Sequence, residues 1–63
     1  MSRLIYYRRC TITVKRTSLG FTSEVYDATK PVSVNWCATL DAAIAYARDR
    51  VDIYRDAQEE PAT

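Results

Sequence analysis

The segment from residue 39 to about residue 58 carries apolar side chains at the spacing of an amphipathic helix, and no other feature constrains the fold as strongly. Residues three and four positions apart share one face of a helix, so they form a stripe that can pack on a core. The stripe consists of Leu40, Ala43, Ile44, Ala47, Val51 and Tyr54. Thr39 is suited to cap the first turn, and Asp41 favours the positive end of the helix dipole. The sequence therefore predicts a long helix that packs through this stripe.

A second row of side chains runs along the same predicted helix, beside the stripe. It is rotated by about a quarter turn, at roughly 100° per residue, and consists of Tyr46, Arg50, Ile53 and Ala57. One explanation is that the row folds over the edge of a narrow sheet. The other is a protein interface, because Tyr and Arg are enriched at the centres of such contacts and a two-fold homodimer would cover the patch. We favour the interface, formed with a second copy or with a heterologous protein.

Alternating polar and apolar residues predict three β-strands before the helix, at residues 6–16, 21–27 and 32–38. Gly20 provides the positive φ that a tight hairpin favours, and Pro31 marks the second connection. The predicted fold is α+β, a three-stranded antiparallel meander with one C-terminal amphipathic helix packed on one face, in the order βββα.

Two hairpin registers bring apolar residues together on one face of the predicted sheet. The expected pairs are Arg16 with Phe21, Ile12 with Val25, Asp27 with Val32, and Val25 with Val34. The shared face then holds Cys10, Phe21, Val25, Val34 and Trp36. A one-residue slip in either hairpin would destroy this agreement. We expect Trp36 to be the most stabilising core residue, Tyr6 to cap the core, and Cys37 to lie on the opposite face.

The opposite face of the predicted sheet is polar. It holds Thr11, Thr13, Thr22, Glu24, Tyr26, Ser33 and Asn35. Because paired aromatic residues of an RNA-recognition sheet are missing from this set, we interpret the face as solvent surface, with a polar docking face as the alternative.

The chain of 63 residues has room for one small domain, in which residues 59–63 are expected to be a frayed tail. Hydrophobic residues make up 48% of the chain, with one Gly and two Pro, which argues against disorder. In a chain of this size, the free energy gained by burying apolar surface barely exceeds the entropic cost of folding, so self-association is expected.

The net charge of +1 selects neither nucleic acid nor a membrane surface as the partner. With no apolar run of membrane-spanning length and no signal peptide, we expect a cytoplasmic protein with reduced cysteines.

The inventory of catalytic side chains is poor, because the chain contains no His. The acidic residues near the end of the helix alternate with arginines, which indicates a solvated face with local ion pairs. Cys10 is expected to be a buried structural thiol, whereas the role of exposed Cys37 stays open. We therefore predict a protein that is not an enzyme, with no catalytic residues, no cofactor and no metal site.

One basic, aromatic cluster near the start of the chain resembles a nucleic-acid contact. Aromatic rings can stack on bases while guanidinium groups hold phosphates. The residues that would make this contact are Tyr7, Arg8, Arg9, Lys15 and Arg16. The structural alternative, which we favour, is a charged strand edge that resists aggregation.

The helix sequence TLDAAIAYARDRVDIYRDAQEE, directly after the last strand, resembles the small partial RNase H-like domain of HicB-type antitoxins. That family's helix similarly starts after a Thr and is rich in Ala and acidic residues. The resemblance implies the strand-strand-strand-helix order and binding to a partner. Together these observations predict a small regulatory or adaptor module that acts through protein contact and self-associates. The alternative is a nucleic-acid-binding or antitoxin-like regulator that uses the basic N-terminal strand.

Overall fold

The sheet is an antiparallel meander of four strands, each hydrogen-bonded to the next along the chain, and it is followed by one helix. The computed structural model describes residues 2–59. The elements are β1 (Ser2–Tyr7), β2 (Cys10–Thr17), β3 (Gly20–Asp27), β4 (Lys30–Cys37) and α1 (Leu40–Glu59). The α+β class, the antiparallel meander and the C-terminal helix are confirmed. The predicted number of strands is wrong, because there are four and not three.

The additional strand arises from a tight turn at Arg8 and Arg9, inside the segment predicted to be one strand. Both residues have positive φ, 49° and 66°. Such turns favour Asn-Gly, so two arginines give no turn signal in the sequence. Directly before this turn, Tyr7 lies opposite Cys10 and faces the helix. Tyr6 therefore points to the other side and is 76% exposed, so the prediction that it caps the core is wrong.

The first predicted register and the helix stripe are confirmed. Arg16 pairs with Phe21, and Ile12 pairs with Val25, as the alternation predicts. The buried apolar residues come from the central strands and the stripe: Cys10, Ile12, Val14, Val25, Ala43, Ala47 and Val51. The hydroxyl of Thr39 accepts a hydrogen bond from the amide of Ala42 at 3.2 Å, which confirms the helix cap.

The register between β3 and β4 differs from the prediction. Asp27 pairs with Lys30, Val25 pairs with Ser33, and a bulge opposite Val25 and Tyr26 leaves Val32 without a partner in the ladder. Since side chains alternate along a strand, one residue of displacement moves every following side chain to the other face. Ser33 and Asn35, expected on the outer face, therefore lie on the helix side.

Because the register is displaced by one residue, the predicted positions of three β4 side chains are wrong. Val34 and Trp36 are 64% and 55% exposed on the face away from the helix, so neither belongs to the core. Cys37, expected on that outer face, instead packs half-buried against the core. Both cysteines, Cys10 and Cys37, are free and lie on the helix side of the sheet, which contradicts the expectation of opposite faces.

Gly20, at the start of β3, is required by the close approach of β4. Its φ is 153°, and a Cβ atom placed there would lie 2.6 Å from the carbonyl oxygen of Cys37 and 2.9 Å from Cζ2 of Trp36. The indole of Trp36 thus lies directly against the backbone of Gly20. A side chain at this position would displace the ring or the strand.

The predicted frayed tail at residues 59–63 lies outside the described residues, apart from the helical backbone of Glu59. Within residues 2–59, no helix combines the length and the apolar character needed to cross a membrane.

Candidate functional site

The second row of the helix faces the side of β4 and remains accessible. Tyr46 is 42% exposed and Ile53 is 51% exposed, so the sheet does not cover them. Between the helix and β4 lies a groove of about 370 Å³. The groove is lined by Val32, Ser33, Arg50, Ile53, Tyr54, Ala57 and Gln58. The structure thus brings Arg50, Ile53 and Ala57 together at one groove, with Tyr46 beside Arg50.

Arg50 and Tyr46 form a stacked pair on this helix face. The guanidinium carbon of Arg50 lies 5.9 Å from the centre of the Tyr46 ring, within the range of a cation–π interaction. Within residues 2–59 Arg50 has no ion pair with a carboxylate. The pair therefore presents a flat aromatic and cationic platform whose charge is available to a partner.

The strand beside the groove is an open edge of the sheet. β4 pairs with β3 on one side, and no strand within residues 2–59 pairs with its other side. From Val32 to Cys37 the strand carries no charged residue. Edge strands are usually protected by charge, and here Pro31 and the bulge protect only the first part. The remaining edge can accept another strand.

The outer sheet face is more apolar than the sequence suggested. Leu4, Tyr6, Val34 and Trp36 are exposed there, on the two edge strands. The central strands contribute threonines, Lys15, Glu24 and Tyr26. The prediction of a polar outer face is therefore wrong at its edges, because the additional turn and the bulge decide which side chains point outward.

Two of the residues proposed for nucleic-acid contact are engaged by the helix. The hydroxyl of Tyr7 and the guanidinium of Arg8 each donate to Oδ1 of Asp52, both at 2.9 Å. Arg8 also lies 3.1 Å from Asp56. The hydrogen bond from Arg8, followed by that from Tyr7, lowers the pKa of Asp52 below its usual value. These contacts fasten the first hairpin to the helix.

The other three proposed residues lie elsewhere. Arg9 occupies the turn, and its carbonyl accepts a hydrogen bond from Arg55. Lys15 faces the outer side, 3.8 Å from Glu24, whereas Arg16 faces the helix side at the far end of β2. The five residues therefore do not form one surface, and the arrangement gives no support to a nucleic-acid interface.

Arg55, expected with the neighbouring arginines on the solvated face of the helix, is only 7% exposed, so this expectation is wrong. Its Nε and Nη2 donate to the carbonyls of Arg8 and Arg9, and Nη2 also contacts Oδ1 of Asp27 at 3.1 Å. Asp27 further accepts a hydrogen bond of 2.7 Å from Tyr54, which with the Arg55 charge lowers the pKa of Asp27. The sequence does contain one indication that Arg55 is buried, because it follows the buried Val51 by four positions and so lies on the same face of the helix.

Within residues 2–59, no three His, Cys, Asp or Glu side chains are placed to hold a metal ion together. Cys10 is buried, and half-buried Cys37 packs against the core.

Comparison of the chain with protein-family models, with curated proteins and with solved structures finds no match.

Proposed function

We propose that this protein is a small non-enzymatic regulatory or adaptor module that acts through protein contact, and that it self-associates through the second row of α1 and the edge of β4. The observation that carries the proposal is the position of Tyr46, Arg50, Ile53 and Ala57. This half-exposed row lies beside the edge of β4, which is uncharged from Val32 to Cys37 and has no partner strand within residues 2–59. A single contact can therefore bury apolar side chains and satisfy backbone hydrogen bonds together.

A second copy of the chain fits this surface by symmetry. Antiparallel pairing of two β4 edges about a two-fold axis extends the meander across both copies and sets the two helices side by side. Asp49 lies beside Arg50 and has no ion pair within residues 2–59. Two antiparallel helices can thus pair Arg50 of one copy with Asp49 of the other, so the patch does not repel itself.

Sedimentation equilibrium from micromolar to high micromolar concentration tests the proposal. The wild type is expected to be dimeric in the upper part of this range, and Ile53→Glu to be monomeric. Leu19→Glu is the matched control, because Leu19 is 81% exposed in the turn before β3, far from the row. Circular dichroism of both variants verifies the fold.

Exchange of the charges at positions 49 and 50 tests whether Asp49 and Arg50 pair across the dimer. Asp49→Arg and Arg50→Asp should each weaken the dimer, and the double variant should restore much of the loss. A wild type that remains monomeric throughout the range, or equal effects of Ile53→Glu and Leu19→Glu, would contradict the proposal.

A further inference from the structure

A second concave site lies at the opposite end of the helix from Ala57, between the start of α1 and the sheet. Its volume is about 390 Å³, within the usual size range of small-molecule sites. The lining consists of Ser2, Arg3, Val14, Arg16, Phe21 and Leu40. These residues come from β1, β2, β3 and the first residue of the helix, so three strands and the helix together hold the site open.

The floor of this site is apolar. Val14 is 2% exposed, while Phe21 and Leu40 are partly buried and pack against the core. A hydrocarbon chain or an aromatic ring resting on these three side chains would leave water without requiring the core to open.

Two guanidinium groups lie at the same site, and neither has a counter-charge among residues 2–59. Neither the side chain of Arg3 nor that of Arg16 has a hydrogen bond or an ion pair within residues 2–59, and Asp41, in the first turn of the helix, lies beyond ion-pair distance of both. Arg8 and Arg55 differ from them, since both bind carboxylates. Guanidinium groups bind carboxylates in a bidentate geometry, and the start of a helix further favours negative charge.

We propose that this site binds a small free carboxylic acid with an apolar body, its carboxylate held by Arg3 and Arg16 and its apolar part lying on Val14, Phe21 and Leu40. The ligand needs both a negative charge for the two guanidinium groups and an apolar body for the floor of the site. A purely apolar ligand would leave both guanidinium groups without a partner, and a bare anion would leave the apolar floor wet. The site thus selects molecules that carry both features.

Titration of the isotopically labelled protein with octanoate, followed by amide NMR shifts, tests the proposal. Octanol supplies the chain without the charge, and acetate supplies the charge without the chain. We expect octanoate to bind at least tenfold more tightly than either, with shifts centred on Val14, Phe21 and Leu40. Equal affinity for octanoate and octanol, or shifts centred on the groove beside Ile53, would overturn the assignment.

Charge-matched variants complete the test. Arg3→Gln and Arg16→Gln should each weaken octanoate binding about tenfold, whereas Lys30→Gln removes the same charge from the exposed first residue of β4 and should leave the binding unchanged. Equal weakening by all three variants would indicate attraction by net charge and would refute the site. The monomeric Ile53→Glu variant should still bind octanoate, so this result is separate from the oligomeric state.

Discussion

Arg55 Nε donates a hydrogen bond of 2.8 Å to the carbonyl oxygen of Arg8, across 47 positions of the chain. The same guanidinium reaches the carbonyl of Arg9 and the carboxylate of Asp27. A buried cation on the helix thereby holds the β1–β2 turn and the end of β3. Because positive φ is unfavourable for residues with a side chain, this contact stabilises a turn that its own sequence does not favour.

Replacement of Arg55 should therefore loosen the first hairpin. Arg55→Met keeps much of the side-chain length but removes the guanidinium that binds two carbonyls and Asp27, so we expect the unfolding free energy to fall by about 3 kcal/mol. Arg48→Met is the control on the same helix, because Arg48 is exposed and lies over the ring of Tyr7 at 5.7 Å. Its loss should stay below about 1 kcal/mol. Urea denaturation followed by circular dichroism measures both, and equal losses would contradict the role of Arg55.

The β3–β4 turn offers a stabilising substitution. Ala28 has a φ of 56°, a conformation that glycine adopts without strain. Ala28→Gly should raise the unfolding free energy by about 0.5 kcal/mol, since relief of strain exceeds the added entropy of the unfolded chain. The same change at exposed Ala45 in the helix should lower it by about 1 kcal/mol. Thermal denaturation should show opposite signs for the two variants, and a destabilising Ala28→Gly would contradict the turn conformation.

Ser23 carries a polar atom with no partner in the core. Its hydroxyl is fully buried and forms no hydrogen bond with any part of the chain that the structure describes. Ser23→Ala removes the unsatisfied group and should stabilise the fold by about 1 kcal/mol. Ser18→Ala, in the exposed β2–β3 turn, should change stability by less than about 0.5 kcal/mol. A destabilised Ser23→Ala protein would show that the hydroxyl has a partner in solution.

Acid should weaken the contact between hairpin and helix. Hydrogen bonds from Arg8 and then Tyr7 lower the pKa of Asp52, and the hydrogen bond from Tyr54 with the Arg55 charge lowers that of Asp27. A pKa that is lower in the folded state contributes stability above the unfolded aspartate value, about 3.9. This contribution is lost as the pH falls through the folded-state pKa.

The Asp52→Asn variant measures how much Asp52 contributes to the loss of stability in acid. Urea midpoints measured between pH 6 and pH 2.5 should fall less steeply for Asp52→Asn than for the wild type. Asp49→Asn is the matched control, since the side chain of Asp49 makes no ion pair or hydrogen bond within residues 2–59, and this variant should retain the wild-type slope. Identical slopes for all three proteins would show that Asp52 contributes nothing to acid unfolding.

The loss of unfolding free energy on truncation of a side chain should follow the burial of that side chain and not its size. Val25 is fully buried, so Val25→Ala should cost about 2 to 3 kcal/mol. Trp36→Ala removes a larger side chain that is half exposed, and should cost only about 1 kcal/mol. Denaturation of both variants decides between this ranking and the one that the sequence suggested.

The helix and the β2–β3 hairpin were predictable because each is determined by nearby residues. A stripe at helical spacing identifies the face of α1, and Gly20 marks the turn between β2 and β3. The turn at Arg8 and Arg9 was not predictable, because its stabilising contact comes from Arg55, distant in the sequence. No local pattern distinguishes such a turn from a continuous strand.

The bulge at Val32 explains why the surfaces were harder to predict than the elements. A single unpaired residue reverses the faces of β4, so the apolar outer face with Val34 and Trp36 was missed. The helix row was identified correctly as a row, since periodicity alone defines it and its exposure agrees with an uncovered surface. Its role as an interface stays a prediction.

The position of Trp36 against Gly20 also determines what optical spectroscopy can observe. Trp36 is the sole tryptophan, and its indole is already partly hydrated in the folded state. Unfolding should therefore change its emission less than it would that of a core tryptophan, whereas any molecule that covers this side of β4 should shift the emission to shorter wavelength. Far-ultraviolet circular dichroism and indole fluorescence thus follow different events in one sample, the first the backbone structure and the second the solvent at the outer side of the sheet.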